Sequence, residues 1–346
     1  MKSKRQKAKV KRQKGGTLFS DSLNWSSSFF HFCFLPFAFC LLPFIPVACR
    51  STKSVAPGSV HTRPWSEIEQ SDKPDTGTYE SAKQIGTITA QGLPEVSGIT
   101  AGRVNAGVWW VHNDSGDKAN IYAINSSGKL LATFAVPGAK NYDWEDMASG
   151  PGRDGRPALY LADIGDNNSR RDEVVVYRVP EPVLKKGVKS ASTETAEAFP
   201  FKYPDGKHDA EAIFVDPKSG RIYIVTKTKS AGCKVYRFPH PLTEGRQVTL
   251  EVVTGSAVNE IAKLRLVTGA AAAPDGSRVI IRTYFNAIEL RRAKGGAFET
   301  IFNAAPVFVG IPLERQGEAI AYTPDSKSVV TTGEKVPAPI FQLTRQ

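Results

Sequence analysis

Short runs of apolar and β-branched residues, separated by Gly, Pro, Asn and Asp, follow one another along the chain from about Lys83 onward. No long stretch in this part places apolar residues at the three- and four-residue spacing of an amphipathic helix. Runs of this length with such punctuation are typical of β-strands joined by turns. We therefore predict an all-β domain over residues 83–346.

A short motif recurs within this β-rich region. Three copies align without gaps, at Glu211–Pro217, Thr268–Pro274 and Glu318–Pro324, and each precedes a turn and a second strand-like run. Two weaker copies contain Ser97 and Glu145 at the first motif position. These five anchor positions recur roughly every 50 to 65 residues, and units of this length with four strands are typical of β-propeller blades.

The number of strands in each unit predicts how the ring closes. A third strand follows in each unit and a fourth in the first four, the last of these being AFETIF at 297–302. The fifth unit lacks a fourth strand, which QIGTITA at 84–90 can supply. The long second and third units also leave room for a sixth blade. We expect a β-propeller of five four-stranded blades, at about 93–141, 142–207, 208–266, 267–314, and 315–346 with 83–91.

Most of the excess positive charge precedes this domain. The formal net charge is +11, and residues 1–14 alone carry eight Lys and Arg. An uncharged apolar run at 29–48 follows, and a basic segment before an apolar one is how an export signal is built. The run leads to Cys49, so a lipoprotein leader lipidated at Cys49, an ordinary signal peptide and an uncleaved membrane anchor all stay open. We predict a leader at 1–49 and a flexible tether, rich in Ser, Thr and Pro, at 50–82.

This distribution of charge changes the expected partners. The domain itself is only slightly basic, so the net charge does not favour nucleic acid. An exported domain is expected in the cell envelope, either membrane-anchored or secreted. We expect a monomer whose partner is a small ligand or an envelope component.

Charged residues gather at two places in each predicted blade, before the first strand and after the second. In an up-and-down blade these places lie on the same face, and the first strand lines the central channel. The sequence thus predicts an acidic opening at one end of the channel. The candidate catalytic residues are Glu145, Asp209, Glu211 and Glu318. The candidate ligand-binding residues are His112, Asp114, Lys227, Arg282, Arg315 and Glu334.

So many like charges around one opening repel unless a cation offsets them. Carboxylate and Asn oxygens suit Ca²⁺, which is the candidate cofactor. The same residue types also commonly cap turns, and neither loop has the alternating acidic pattern of an EF-hand. The predicted metal ligands are Asp117, Asp163, Asp166 and Asn167.

Three functions fit these residues. The leading hypothesis is an exported, membrane-tethered propeller that binds a ligand at the acidic opening, with Ca²⁺ as a candidate bridge. The first alternative is a hydrolase of phosphoester or glycoside bonds that uses the same carboxylates as acid and base. The second is an envelope protein-interaction scaffold. Trp109, Trp110 and Trp144 are candidates for stacking on a flat ligand, although adjacent strand residues face opposite sides of a sheet.

The segments Trp110–Asp117, Asp143–Asp146 and Ala162–Asn167 resemble exported bacterial propeller proteins of largely unassigned function. Asp209–Pro217 and Gln316–Tyr322 resemble the phytase-like, esterase-like propeller group, in which a Glu followed by a small and an aliphatic residue recurs at the channel. The resemblance covers roughly residues 93–334 and implies a propeller with phosphoester or ester hydrolysis as a candidate activity. It brings no catalytic residues with it, and Thr268 departs from the Glu pattern in the fourth blade.

Overall fold

The computed structural model describes residues 79–346, so the predicted leader, Cys49 and nearly all of the predicted tether lie outside the described residues. Within 79–346 the strands form five sheets, and each sheet contains four antiparallel strands. In four sheets these strands are consecutive or nearly so in the chain, and the fifth combines the first strand with the last three. The predicted five-bladed β-propeller is therefore confirmed. No helix in this part of the chain has the length and apolarity needed to cross a membrane.

The first strand of the described chain belongs to the last blade, and the other blades follow one another around the ring in chain order. The first strand, completing blade 5, is β1 (Lys83–Ile88). Blade 1 contains β2 (Val96–Ala101), β3 (Val108–Asn113), β4 (Asn120–Asn125) and β5 (Leu130–Ala135). Blade 2 contains β6 (Trp144–Pro151), β7 (Pro157–Asp163), β8 (Val174–Pro180) and, after β9 (Ser190–Ser192), β10 (Glu197–Lys202).

The remaining three blades follow the same plan. Blade 3 contains β11 (Ala210–Val215), β12 (Ile222–Thr226), β13 (Val235–Arg237) and, after β14 (Val248–Thr249), β15 (Glu251–Val252). The helix α1 (Ser256–Ile261) leads to blade 4, with β16 (Val267–Ala272), β17 (Arg278–Thr283), β18 (Ala287–Arg291) and β19 (Val307–Val309). Blade 5 contains β20 (Gly317–Tyr322), β21 (Ser328–Gly333) and β22 (Ala338–Thr344).

The ring closes as the sequence predicts. Strand β1 pairs antiparallel with β22, from Lys83 opposite Gln342 to Ile88 opposite Ala338. The N-terminal strand thereby becomes the outermost strand of blade 5, and the first and last parts of the described chain share one sheet. Because this pairing joins distant parts of the sequence, the ring has no open break between its first and last blades.

Two details of the strand prediction are wrong. The run AFETIF, expected as the fourth strand of blade 4, lies in a 3₁₀ helix at Phe298–Asn303, and β19 takes the strand position. Phe298, Ile301 and Phe302 are buried at three- and four-residue spacing, which is the pattern of a helix face. The extra residues of the long second and third units do not form a sixth blade within 79–346. They supply the short edge strands β9 and β14, which pair with the outer strands of neighbouring blades, and α1.

The hydrophobic core is divided among the five junctions between neighbouring blades. Adjacent residues of one strand alternate between two of these junctions, because strand side chains point to opposite faces of the sheet. Trp109 packs in the cluster shared with blade 5, whereas Trp110 packs in the cluster shared with blade 2. Trp144 is fully buried in the same cluster as Trp110. The three tryptophans therefore hold the blades together and do not offer a stacking surface to a ligand.

The five innermost strands share one irregularity. Each first strand contacts the first strands of both neighbouring blades around the central channel. In each of them the pairing with the second strand shifts register at the anchor position, and a β-bulge of this kind changes the direction of a side chain. The five bulged anchors are Ser97, Glu145, Glu211, Thr268 and Glu318. All five are buried at the start of a first strand.

Candidate functional site

The residues that follow the second strands form a second ring around the anchors. In four of the five blades, one such residue donates its backbone N–H to the carbonyl oxygen two positions before the anchor, at 2.9 to 3.2 Å. These four equivalent residues are Asp114, Gly165, Lys227 and Glu334. Tyr284 follows the second strand of blade 4. One end of the channel is thus surrounded by two rings of residues with repeated backbone geometry but different side chains.

Three carboxylates converge on the blade 1 and blade 2 side of this opening. One oxygen from each of Asp114, Asp143 and Glu145 lies within 4.8 Å of the other two. Burial raises the pKa of Glu145 well above its ordinary value, and the charges of Glu211, Asp114 and Asp143 add to this shift. Burial and the charge of Asp114 raise the pKa of Asp143 to about 6. The group is held together although its charges repel.

Glycine at position 165 leaves space beside this acidic group. A Cβ atom built there would collide with an oxygen of Glu145 and with the carboxylate of Asp143. Within residues 79–346, the Glu145 carboxylate has no hydrogen-bond partner. The carboxylates of Glu145 and Asp143 therefore pack directly against Gly165, in the place that a side chain would take.

The neighbouring blade places a cation at the equivalent position. The Lys227 amino group lies 2.5 Å from both carboxylate oxygens of Glu211 and donates to the Tyr284 hydroxyl at 3.1 Å. Burial acts to lower the pKa of Lys227, but the charges of Glu211 and Glu318 and the hydrogen bonds to Glu211 and Tyr284 together outweigh it, and the net shift is upward. Glu211 and Lys227 thus form a buried ion pair next to the acidic group.

Two further carboxyl groups complete the opening in blade 5. Burial raises the pKa of Glu318 to about 7, although the Lys227 charge and a hydrogen bond from Tyr284 oppose the shift. One oxygen of Glu318 is buried and has no hydrogen-bond partner among the described residues. Burial and the charges of Glu318 and Asp114 raise the pKa of Glu334 to about 7. Both groups hold a proton for part of the time near neutral pH.

The predicted metal ligands Asp163 and Asp166 do not converge on one point. Their carboxylates instead accept hydrogen bonds from backbone N–H groups of nearby loops. Asp163 accepts from the Asp143 backbone N–H at 3.0 Å and pairs with Arg171 at 2.9 Å. Asp166 accepts from the backbone N–H groups of Arg170 and Arg171 at 2.8 Å. The backbone N–H of Asp166 donates to the candidate Asp209 at 2.8 Å, so Asp209 ties this loop to blade 3. These residues hold the segment after β7 against the acidic group.

The other two predicted metal ligands lie apart from this arrangement. Asp117 accepts from the Tyr122 hydroxyl at 2.6 Å and from the Asn113 amide at 2.8 Å, while Asn167 is exposed. Among residues 79–346, the three predicted aspartates do not form a group with ligand atoms within 4.8 Å of one another. Asp143 takes part in the group that does form, and the repeat carried a signal for it. It precedes Glu145 by two positions, as Asp209 precedes Glu211.

The predicted ligand-binding residues divide between the opening and the interior. Asp114, Lys227 and Glu334 border the opening, but His112 and Arg282 are fully enclosed. Burial lowers the pKa of His112 to about 4, and its ring packs edge-on against Trp144. The Arg282 guanidinium pairs with buried Glu314 at 3.0 Å and donates to the Ala319 carbonyl at 2.9 Å. Arg315 is exposed.

A buried aspartate lies below the opening. The Asp146 carboxylate is fully buried and accepts from the backbone N–H groups of Met147, Ile213 and Ala270, at 2.7 to 3.1 Å. It therefore links the first strands of blades 2, 3 and 4 across the channel. Its role is structural, because a buried carboxylate with three donors has little capacity left for a ligand.

Comparisons with known proteins support no assignment of activity. No family model matches the chain, and no curated protein matches it. A glucose dehydrogenase structure is similar at 11% identity and a TM-score of 0.43, covering 76% of this chain and 99% of that chain. A gluconolactonase from Xanthomonas campestris is similar at 10% identity and a TM-score of 0.42, covering 79% of this chain and 96% of that chain. Likeness at this level concerns the overall fold alone, and the phytase-like, esterase-like type stays a prediction.

Proposed function

We propose that the acidic opening binds a divalent cation, for which Ca²⁺ fits best, and through it an oxygen-bearing ligand. The observation that carries this proposal is the Glu145 carboxylate. It is 5% exposed, has no hydrogen-bond partner within residues 79–346, and lies beside Asp114 and Asp143. A buried carboxylate in such surroundings either keeps a proton or requires a cation.

The dimensions of the group suit Ca²⁺. Its bonds to oxygen are about 2.3 to 2.6 Å long, so two ligands of one ion are at most about 5 Å apart. The oxygens of Asp114, Asp143 and Glu145 are within 4.8 Å of one another, which lets all three contact one ion. Gly165 keeps the adjoining space free of a side chain. Carboxylates are also the donors that a hard cation prefers.

The surroundings of the group favour an anionic or strongly polar ligand. Three side chains supply fewer than the six to eight oxygens that Ca²⁺ takes, so positions on the ion are left for a ligand. The positive charge of Lys227 next to the group also favours a negatively charged ligand, although its three N–H donors already go to Glu211 and Tyr284. We further propose that the domain works outside the cytoplasm, where calcium-binding modules typically have dissociation constants of about 0.1 to 1 mM.

Titration calorimetry of the full chain with calcium chloride tests the cation site. We expect saturable binding and a melting temperature that rises with Ca²⁺ concentration. Glu145→Gln should abolish binding and, because it removes like-charge repulsion, raise the melting temperature without calcium. The matched control is Asp154→Asn, an exposed acid in a turn of blade 2. Absence of both heat and thermal shift in the unaltered protein would refute the proposal.

A hydrolase is the second candidate, and Glu318 is the observation that favours it. A carboxyl group with a pKa of about 7 and one unpartnered oxygen retains a proton that it can donate to a leaving group. A screen of chromogenic phosphoesters and glycosides, with and without calcium, tests this function. Turnover that Glu318→Gln removes while calcium binding persists would support it. If no substrate is turned over, the opening binds its ligand without hydrolysing it.

A further inference from the structure

A cavity of about 380 Å³ lies at the other end of the central channel. All five innermost strands contribute to it with the residues at their far ends, whereas the anchors lie at their near ends. In blade 2, Glu145 and Ser149 are four positions apart along β6, a separation of about 13 Å in an extended strand. Asp146, which links three blades, lies between these two levels. The cavity is therefore a site separate from the acidic opening.

The lining of this cavity is mostly apolar. Small and aliphatic side chains from every blade border it, together with the ring of Tyr322. The Tyr322 hydroxyl donates to buried Glu289 at 3.0 Å, so its polar end already has a partner. The aliphatic lining residues include Ala101, Met147, Val215, Ala271, Ala272 and Ala321. A cavity of this size and polarity suits the apolar part of a small organic molecule.

Arg103 brings one cationic group to this cavity. Its Nε atom donates to the Ser149 hydroxyl at 3.2 Å, and both residues line the cavity. Within residues 79–346, no carboxylate forms an ion pair with it. Burial lowers the pKa of Arg103, and the charge of Glu181 opposes this shift only in part. The terminal nitrogens of the guanidinium are therefore available to an anion.

The loop that carries Arg103 is held in place by the same Glu181. Its carboxylate accepts from the backbone N–H groups of Arg103 and Val104, at 2.7 and 2.9 Å, and from the Trp110 ring N–H at 3.0 Å. The Asn105 amide adds a further hydrogen bond at 2.8 Å. Both carboxylate oxygens of Glu181 thus accept hydrogen bonds from this loop, and one of them also accepts from Trp110. The position of Arg103 is organised before any ligand arrives, which lowers the entropic cost of binding.

We propose that this cavity binds a small organic monoanion, with its carboxylate on Arg103 and Ser149 and its alkyl part against the apolar lining. A guanidinium matches a carboxylate through two parallel hydrogen bonds, and a hydroxyl can add a third. Burial of the alkyl part supplies the hydrophobic contribution, so affinity should grow with each added methylene group. This site is independent of the cation at the acidic opening.

Calorimetry with hexanoate tests this proposal. We expect saturable binding of hexanoate, at least tenfold weaker binding of acetate, and none of hexylamine, which has the same tail and the opposite charge. Arg103→Gln should weaken hexanoate binding at least tenfold, whereas Arg265→Gln, at an exposed arginine away from the cavity, should not change it. Ala106→Glu, at an exposed loop position lining the cavity, should weaken binding by placing a negative charge beside Arg103.

Two results would overturn the proposal. One is hexanoate affinity that Arg103→Gln leaves unchanged, and the other is equal binding of hexylamine, which would indicate unspecific hydrophobic contact. Glu145→Gln separates the two sites, because it should abolish calcium binding and leave hexanoate binding intact. Loss of both in that variant would contradict the independence of the cavity.

Discussion

Glu145 and Glu211 occupy the same bulged position in neighbouring blades, yet their surroundings are opposite. Glu211 lies against Lys227, whose amino group is 2.5 Å from both carboxylate oxygens. The position equivalent to Lys227 in blade 2 is Gly165, so no cationic side chain among residues 79–346 pairs with Glu145, which instead faces two other carboxylates. The repeat thus determines where the glutamates lie, and the residue after the second strand determines their chemistry.

This difference distinguishes the Glu211–Lys227 ion pair, which stabilises the fold, from the acidic group around Glu145, which we propose binds a cation. Burial raises the pKa of Glu211, but the charge of Lys227 opposes this shift. For Glu145, burial and every leading neighbouring charge act in the same upward direction. A buried ion pair is complete without a ligand, whereas a buried group of like charges becomes more stable when a cation binds. The comparison therefore predicts which substitutions affect folding and which affect binding.

The largest expected effect is on folding, from Lys227→Met. This change leaves Glu211 buried without its cation, and breaking a buried pair on one side typically costs about 3 to 5 kcal/mol. Urea unfolding at neutral pH should show the loss. The double variant Lys227→Met with Glu211→Gln should recover much of it, because no charge is then left unpaired.

The matched control is Lys229→Met, an exposed lysine two residues further along the same loop. It should change the free energy of unfolding by less than about 0.5 kcal/mol. If Lys227→Met and Lys229→Met behaved alike, the Glu211 pair would not contribute to stability and the contrast with Glu145 would lose its basis.

The repeat made most of the fold predictable. Five anchors at intervals of roughly 50 to 65 residues and a spare N-terminal strand predicted five blades closed by β1, with room for a sixth blade left open. The run 297–302 was mistaken for a strand because a six-residue run rich in large apolar side chains is too short for its period to be decisive. Its helical burial depends on packing against the helix α1, a tertiary contact that the local pattern does not contain.

The sequence located the candidate site less completely. The anchors Glu145, Glu211 and Glu318 were predictable because they repeat, and their neighbours Lys227 and Glu334 follow strands that are easily recognised. Residues from different blades meet only when the ring closes, so the group of Asp114 with Asp143 was not visible in the chain. A glycine carries no chemical signal, and the importance of Gly165 follows only from what lies beside it.

The next largest effect is a dependence of stability on pH that Glu318 controls. Its pKa of about 7 in the folded protein lies above its ordinary value of 4.5, so the folded state binds its proton more tightly. The resulting stabilisation is fully present below about pH 4.5 and is lost as the pH rises to 7. The loss is roughly 3 kcal/mol at most, since one pKa unit corresponds to about 1.4 kcal/mol.

Urea unfolding from pH 4.5 to 7.5 without calcium measures this dependence. Glu318→Gln should make the profile flatter and should also lower the pKa of Glu334, because the Glu318 charge contributes to its upward shift. An unchanged profile in the variant would mean that Glu318 exchanges its proton at the same pH in the folded and unfolded states.

An intermediate effect is expected from Gly165→Ala, which tests the space beside Glu145. The added methyl group would displace the carboxylates of Glu145 and Asp143 from the arrangement that we propose holds the cation. At a calcium concentration of 100 times the dissociation constant, the unaltered protein should gain about 2.7 kcal/mol of stability. We expect the variant to lose this gain, measured as the calcium-induced change in the free energy of unfolding. Gly92→Ala controls for the loss of a glycine, because position 92, like position 165, is not in the left-handed conformation, but an added Cβ there would meet no other atom within 4 Å.

The smallest effect distinguishes the carboxylates that converge from Asp117, a predicted metal ligand that lies outside that group. Asp117→Asn keeps one acceptor oxygen but replaces the other, which accepts from Tyr122 and Asn113, and this loss should cost about 1 kcal/mol. Because Asp117 lies outside the converging group, calcium binding in the calorimeter should be unchanged. Asp143→Asn should have the converse result, with calcium binding lost and folding preserved. If Asp117→Asn removed calcium binding while Asp143→Asn did not, the cation would belong to the loop of blade 1, and the contrast between Glu145 and Glu211 would have no bearing on it.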